Sequence, residues 1–274
     1  MASGFIEINN KQGLSATLLP FGATLAKLTF PDKDGKTQDL VLGFNTIEEF
    51  EKDTASVGKT VGRVANRIRN SKLTFDGKEY SMTPNNGPHY LHGGPNGLGN
   101  RKWELVRHAP ESVSFCARAN EKEDGLPGDA KIDVTYTVND RNQLIIEHHA
   151  TCENAGLLAL TNHSYWNLDG SENISEHYLE MDSEEYVEVD ETFCPTGAIR
   201  PVDQTRFDFR TGKQLKESGI PGEPLLDLDN DLVIAKKDPP VTPTSYLRFW
   251  SQKSGIELSI TTSYPVIHLY ASKF

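Results

Sequence analysis

The chain has 274 residues, 36 % hydrophobic and 24 % charged, with 28 basic against 39 acidic side chains and a formal net charge of −11. That length suits one large β or α/β domain or two ordinary ones, and it buries enough surface to need no staples. An acidic chain without a Lys/Arg stripe argues against nucleic acid and anionic membrane surfaces as partners, and no apolar run approaches a membrane span, so a neutral small molecule remains.

The first residues, Met-Ala-Ser-Gly-Phe-Ile-Glu, have no basic segment and no long apolar stretch, so no signal peptide is expected. Cys116, Cys152 and Cys194 are an odd number and read as reduced thiols of a cytoplasmic protein. Leu25, Lys27 and Thr29 alternate with Ala26, Leu28 and Phe30, the period of a half-buried strand. Asp34-Gly35 then predicts a turn into a second strand at 40–42. Thr46 followed by Ile47-Glu48-Glu49 predicts a helix of one or two turns, from its cap residue and acidic first turn. Asp76-Gly77, between short β-prone runs at 73–75 and 78–80, is a strong hairpin signal. Ile132, Val134, Tyr136 and Val138 share one face, with Asp133, Thr135 and Thr137 on the other. The Asn139-Asp140-Arg141-Asn142 turn leads into a strand at 144–147. Residues 214–218 predict a short helical turn, Pro239-Pro240 with Pro243 a loop, and 251–255 a hairpin between strands at 246–250 and 256–261.

Strand–helix–strand alternation is missing, which argues against a parallel α/β fold. Many short strands at regular spacing predict an all-β protein, a large antiparallel β-sandwich with little helix. No repeat, low-complexity tract or linker divides the sequence, so residues 1–274 read as a single domain.

Three polar, irregular segments are candidates for chemistry, because such segments on a rigid β scaffold usually carry function. Residues 61–68 contain Arg63, Asn66 and Arg67. They read either as a strand with surface arginines or as an Arg/Asn pair donating hydrogen bonds to a hydroxylated ligand. Residues 85–94 contain His92 followed by two glycines that let backbone pass close to something. Residues 161–168 contain His163 among Asn162, Ser164, Tyr165 and Trp166. This is either a general acid or base with aromatics to stack on a sugar, or a histidine satisfied by its neighbours. Other chemistries fit less well. At Gly58-Lys59-Thr60 the first glycine of a phosphate loop is replaced by Asp53. His148 and His149 are adjacent and face opposite ways on a strand, and no metal-ligand spacing occurs, so no metal is expected. No G-x-S-x-G elbow supports a serine hydrolase.

Taken together these segments resemble the aldose 1-epimerase family, the galactose mutarotases. The matching blocks run in family order. They are Gly22-Ala23-Thr24, then Gly62-Arg63-Val64-Ala65-Asn66-Arg67-Ile68, then Asn85-Asn86-Gly87 through Leu91-His92-Gly93-Gly94 to Arg101-Lys102-Trp103. Leu126-Pro127-Gly128 leads into Val134-Thr135-Tyr136-Thr137. Thr161-Asn162-His163-Ser164-Tyr165-Trp166-Asn167-Leu168 follows, with Val189-Asp190-Glu191-Thr192 through Pro195-Thr196-Gly197. Phe207-Asp208-Phe209-Arg210 and Pro265-Val266 through Leu269-Tyr270 complete the set.

The resemblance implies a single galactose mutarotase-like sandwich and cofactor-free interconversion of the α and β anomers of a free hexose such as galactose or glucose. It implies His163 as general acid and His92 as a second histidine near the ring oxygen and hydroxyls. Arg67 with Asn66, Asp229 and Tyr270 are the implied sugar-binding residues. The Asp229 block departs from the family, where the aspartate is preceded by an aromatic residue and followed by His-Asn, which leaves Asp231 as the other candidate. Family members also continue past the Leu-Tyr strand into a Glu-Thr-Gln block whose glutamate is the general base. The sequence ends at Lys273-Phe274, and Glu257 lies before Leu269-Tyr270. The expectation is therefore a C-terminally short member, with a catalytically impaired form or a non-catalytic carbohydrate-binding protein as the alternative. Sheet edges left uncovered would favour association, so either a monomer or a dimer is compatible with this reading.

Overall fold

The structure is a computed structural model, and it describes residues 4–217, 228–234 and 246–271. The proline loop expected at 239–243, Ser218 and the terminal Lys273-Phe274 lie outside the described residues. Strands dominate, joined by two short α-helices among the described residues, and no helix there is long and apolar enough to cross a membrane. The chain forms two compact units, residues 1–31 with 36–167, and residues 32–35 with 168–274.

The first unit holds two four-stranded antiparallel meanders. One joins Ile6–Asn9, Ser15–Leu19, Thr24–Pro31 and Thr37–Asp39, and the other Glu104–Ala109, Ser112–Ala119, Ala130–Val138 and Leu144–Cys152. The alternation legible in the second meander is the alternation of its burial. Ile132, Val134 and Tyr136 are fully buried and Val138 nearly so, while the residues between them stay half-exposed. The Tyr136 hydroxyl donates to the Ala23 carbonyl (2.7 Å) and accepts from Asn162 Nδ2 (3.3 Å). Burial pushes its pKa up to about 12, against the opposing bonds from Thr60 and Asn162. Asn10, buried between strands, donates to the Asn139 carbonyl (2.6 Å) and to Asn142 Oδ1 (2.8 Å), tying the first meander to the predicted 139–142 turn.

The Asp76-Gly77 hairpin forms as expected between Lys72–Phe75 and Lys78–Ser81. Both turn residues have positive φ (49° and 74°), the geometry that twists with the strands. The predicted helix is Ile47–Lys52, with a complete capping box between Thr46 and Glu49. The turn at Asp34-Gly35 also forms, but its return strand is Thr37–Asp39 rather than 40–42. The Leu40 N–H still reaches the Leu28 carbonyl (2.8 Å). Beyond it the chain leaves that sheet, Val41 bridging Trp166 and the Leu42 N–H donating to the Tyr165 carbonyl (2.8 Å).

The second unit holds two antiparallel sheets whose strands are not in chain order. One orders Lys213–Gln214, Tyr178–Met181, Leu247–Trp250 and Glu257–Ile260. The other orders Pro195–Pro201, Ser183–Val189, Asp229–Ile234 and Val266–Tyr270. The 251–255 hairpin appears where expected, joining Leu247–Trp250 to Glu257–Ile260. Tyr178 and Trp250 are register partners, and their rings stack at 5.1 Å. Cys116 and Cys194 are buried and Cys152 is exposed, all as free thiols.

The Tyr136 hydroxyl is the polar pin of the first unit. Tyr136→Phe is expected to cost about 1–3 kcal/mol, because it leaves the buried Ala23 carbonyl short of a donor. Chemical denaturation followed by tryptophan fluorescence measures the loss.

Candidate active site

The first unit brings four of the expected residues together by folding residues 60–68 between two other segments. Thr60–Val61 pairs antiparallel with Thr161–Asn162, and Arg67–Ile68 pairs with Tyr90–Leu91. Between these pairings, the Ala65 N–H donates to the Ala159 carbonyl (2.8 Å) and the Ala159 N–H to the Arg63 carbonyl (2.7 Å). The same short stretch therefore carries its neighbours from the His163 segment to the His92 segment.

Arg63 holds this stretch down. The sequence left it readable as a surface arginine, but its side chain is almost fully buried. Nε and Nη2 meet the two oxygens of Asp124 at 2.8 and 2.7 Å, a bidentate pair. The guanidinium also donates to the carbonyls of Leu126 (2.7 Å), Pro127 (3.0 Å) and Gly128. Asp124 in turn accepts from the Leu126 N–H (3.0 Å) and ends the helix Glu121–Asp124, an element too short to be read from sequence. Lys59, the lysine of the failed phosphate-loop match, is likewise buried. It ion-pairs with Asp53 Oδ2 (3.2 Å) and donates to the Asp53 carbonyl (3.0 Å).

Asn66 and His92 then lock together. The Asn66 N–H donates to His92 Nδ1 and the His92 N–H to the Asn66 carbonyl, both at 3.1 Å. Both residues have positive φ, 64° and 53°. Asparagine tolerates that region; a histidine there costs energy and is held by its surroundings, a pattern that clusters at functional sites. The next residue must be glycine. A Cβ on Gly93, at φ 90°, would lie 1.8 Å from the Gly62 carbonyl oxygen. On Gly94 it would lie 2.3 Å from the Tyr90 ring. The two glycines after His92 thus serve backbone approach, as expected.

Arg67 is aimed by two asparagines. Asn66 Oδ1 accepts from its N–H (2.8 Å), and Nε donates to Asn86 Oδ1 (3.2 Å). Asn85 binds both polar groups of Leu91, at 2.7 and 3.0 Å, and so acts as a one-residue strand partner beside His92. Asn85 and Asn86 stood in the sequence only as part of a matching block, with no role of their own; their side-chain bonding becomes visible in the fold.

His163 is fixed through its backbone: its N–H donates to the Lys59 carbonyl (2.8 Å) and its carbonyl accepts from the Gly58 N–H (2.9 Å). Its ring meets the His92 ring edge-to-face, with centroids 5.1 Å apart and planes at 84°. The Tyr165 ring also lies 5.2 Å from it, with the Tyr165 hydroxyl donating to the Ala55 carbonyl (3.0 Å). Tyr165 also packs on the cluster of Leu19, Ala26, Phe50 and Val57, so only part of the aromatic surface imagined for a sugar remains on the His163 side. Two half-buried imidazoles, an oriented guanidinium and an asparagine suit a small polyhydroxylated ligand that exchanges protons.

The remaining expected residues lie in the second unit. Asp229 and Tyr270 are register partners on the strand pair Asp229–Ile234 and Val266–Tyr270, with Asp231 two residues along. His268, which sequence reading passed over as an ordinary strand residue, sits between the two aspartates, its ring nitrogens 3.1 Å from Asp229 Oδ1 and 2.9 Å from Asp231 Oδ1. Its signal in the sequence was the Asp-x-Asp alternation of one strand, legible only once the register is known. His148 and His149 point to opposite sides of Leu144–Cys152, one half-buried and one exposed. Among the described residues no group of three or more His, Cys, Asp or Glu side chains is placed to hold a metal ion.

The aldose 1-epimerase family model matches residues 4–274. The chain belongs to the aldose 1-epimerase family. Aldose 1-epimerase of Escherichia coli (strain K12) is 30 % identical over 273 residues, covering 98 % of this chain and 78 % of that protein. Galactose mutarotase of Sus scrofa is 35 % identical over 267 residues, covering 95 % of this chain and 75 % of that one. A crystal structure of a GalM/aldose epimerase homologue from C. elegans shares 81 % identity and superposes with a TM-score of 0.96, covering all of this chain and 83 % of the other. Galactose 1-epimerase from Lactobacillus acidophilus, at 25 % identity, superposes with a TM-score of 0.83 over 97 % of this chain and 78 % of its own. The strand-dominated chain thus has the galactose mutarotase-like fold of the family, of β-sandwich type; the strand pattern predicted the sandwich and the family resemblance the kind.

Arg63 and Asp124 are worth more as a pair than either is alone. Asp124→Ala is expected to cost about 3–5 kcal/mol, because it leaves a buried guanidinium without its counter-charge. The double variant Arg63→Met/Asp124→Leu is expected to recover a large part of that loss. Urea denaturation of the three proteins checks the difference.

Proposed function

We propose that the chain interconverts the α and β anomers of a free hexose such as galactose or glucose, with His163 as general acid. The observation that carries this reading is the edge-to-face pair of His163 and His92, held from opposite sides of one anchored segment in a member of the aldose 1-epimerase family. Mutarotation needs a base to take the proton of the anomeric hydroxyl and an acid to deliver one to the ring oxygen. The ring opens, the C1–C2 bond turns, and reclosure gives the other anomer. Two imidazoles 5.1 Å apart are close enough to serve neighbouring oxygens of one sugar.

Their surroundings divide the work. His92 accepts the Asn66 N–H at Nδ1, so its neutral form carries the proton on Nε2 and donates to a sugar oxygen. His163, whose ring meets that of His92 edge-to-face, is given the role of moving the proton. Arg67, aimed by Asn66 and Asn86, supplies donors to ring hydroxyls. Asp229 and Tyr270 are assigned the same binding task, the carboxylate as acceptor of hydroxyl protons. These residues supply the acid and the binding groups; the anomeric hydroxyl gives its proton to solvent water as His163 protonates the ring oxygen, and reclosure returns both protons.

Anomer exchange of galactose and of glucose, followed by NMR line shape or polarimetry, tests the reading. The chain is expected to exchange both sugars above the buffer rate. His163→Ala is expected to lower kcat about 10²–10⁴-fold, the value of one positioned proton transfer. Arg67→Ala is expected to raise KM more than it lowers kcat. Hexose binding without exchange would leave a carbohydrate-binding protein and refute the catalysis; no hexose binding would refute both.

A further inference from the structure

The strand pair Asp229–Ile234 and Val266–Tyr270 buries one face and displays a charge arrangement on the other. Asn230, Leu232 and Ile234 point into the core and are 5 %, 0 % and 4 % exposed. Alternation puts Asp229 and Asp231 on the opposite face, where Asp231 is the register partner of His268 and Asp229 that of Tyr270. His268 leans between the two aspartates, with Nδ1 2.9 Å from Asp231 Oδ1 and Nε2 3.1 Å from Asp229 Oδ1.

Both acceptors are carboxylates, which have no proton to give when ionised. A neutral imidazole has a single N–H, so one of these contacts would then set a nitrogen lone pair against a carboxylate. Only an imidazolium makes two hydrogen bonds here. We propose that His268, clasped as an imidazolium between Asp229 and Asp231, is a positioning residue that holds Asp229 oriented to accept hydrogen bonds from hexose hydroxyls. The proposal rests on the sugar-binding role given to Asp229 above.

The electrostatics run the same way. Burial opposes a charge on His268, but the hydrogen bonds from Asp229 and Asp231, and then their charges, outweigh it and push its pKa up to about 9. The other titratable side chains on the strands packed here are Tyr270, opposite Asp229, and Glu184, Glu185, Tyr186 and Glu188 on Ser183–Val189, of which Glu188 is already joined to Arg200. Without the imidazolium, two carboxylates two residues apart on one face would repel, and Asp229 would lose the bond that fixes its rotamer. A histidine raised in this way contributes fully below its unfolded value of about 6.5 and stops contributing as pH rises through the folded value. Sugar affinity should therefore be flat near neutral pH and fall through about 9.

Two measurements on the full chain test this. The first is a ¹H–¹⁵N imidazole spectrum at pH 7, in which His268 is expected to carry protons on both nitrogens. A His268 with one protonated nitrogen overturns the clasp whatever the sugar does. The second is galactose affinity by NMR titration between pH 7 and 10. The wild-type chain is expected to lose affinity about 3–10-fold across that range, the weight of a charge-assisted bond. His268→Gln, whose amide donates N–H bonds without a charge, is expected to bind at pH 7 about as weakly as the wild-type chain does at pH 10 and to lose the alkaline step. His268→Leu is expected to bind weakly at every pH, with thermal melts reporting that it folds. An affinity unchanged from pH 7 to 10, a step that persists in His268→Gln, or wild-type binding by His268→Leu each contradicts the proposal while leaving the sugar reading intact. Absence of galactose binding by the wild-type chain refutes the sugar reading itself, and with it the purpose assigned to the clasp.

Discussion

A buried guanidinium organises the first unit. Arg63 places its donors on Asp124 and on three successive backbone carbonyls, and so ties an irregular stretch of chain to an irregular loop. Neither segment has a regular partner ladder of its own along this length. A buried charge with its counter-charge and carbonyls in place costs little, whereas one deprived of them costs several kcal/mol, so the two segments are fixed together or not at all. The backbone that follows Arg63 has little freedom left. It must bridge to Ala159 and present Asn66 in the left-handed region, where it meets His92.

The candidate chemistry inherits that rigidity. His92 takes its tautomer from a backbone N–H rather than from a carboxylate, Arg67 takes its direction from two asparagine oxygens, and His163 takes its place from the backbone at Gly58 and Lys59. In the second unit the logic changes from backbone to charge: Asp229, Asp231 and His268 orient one another. Proton transfer rewards the first arrangement, since a misplaced acid loses its advantage within about an ångström.

What could be read in advance follows from which interactions are local. The Ile132–Val138 alternation and the Asp76-Gly77 turn were legible because period and turn chemistry reside in adjacent residues. The return strand after Asp34-Gly35 was misplaced by three residues, because the more apolar run at 40–42 goes instead to Tyr165 and Trp166, a long-range choice. His92, His163, Asn66 and Arg67 were reached as candidates through their polar, glycine-rich settings and the family resemblance. Arg63 was not recognised as an anchor, because a buried arginine looks like an exposed one until the carbonyls of Leu126, Pro127 and Gly128 are found around it. His268 was missed for the same reason: its two partners are on another strand, and register is not written in either strand alone.

The central claim is that the anchored segment presents His92 and His163 to one sugar. It is tested most directly by imidazole ¹H–¹⁵N spectra of the chain with increasing galactose. The account predicts a neutral His92 protonated on Nε2, with Nδ1 bonded to the Asn66 N–H, and His92 and His163 signals that shift together at a single dissociation constant. A His92 protonated on Nδ1 in its neutral form, or histidine signals that ignore galactose or report two different affinities, would contradict it.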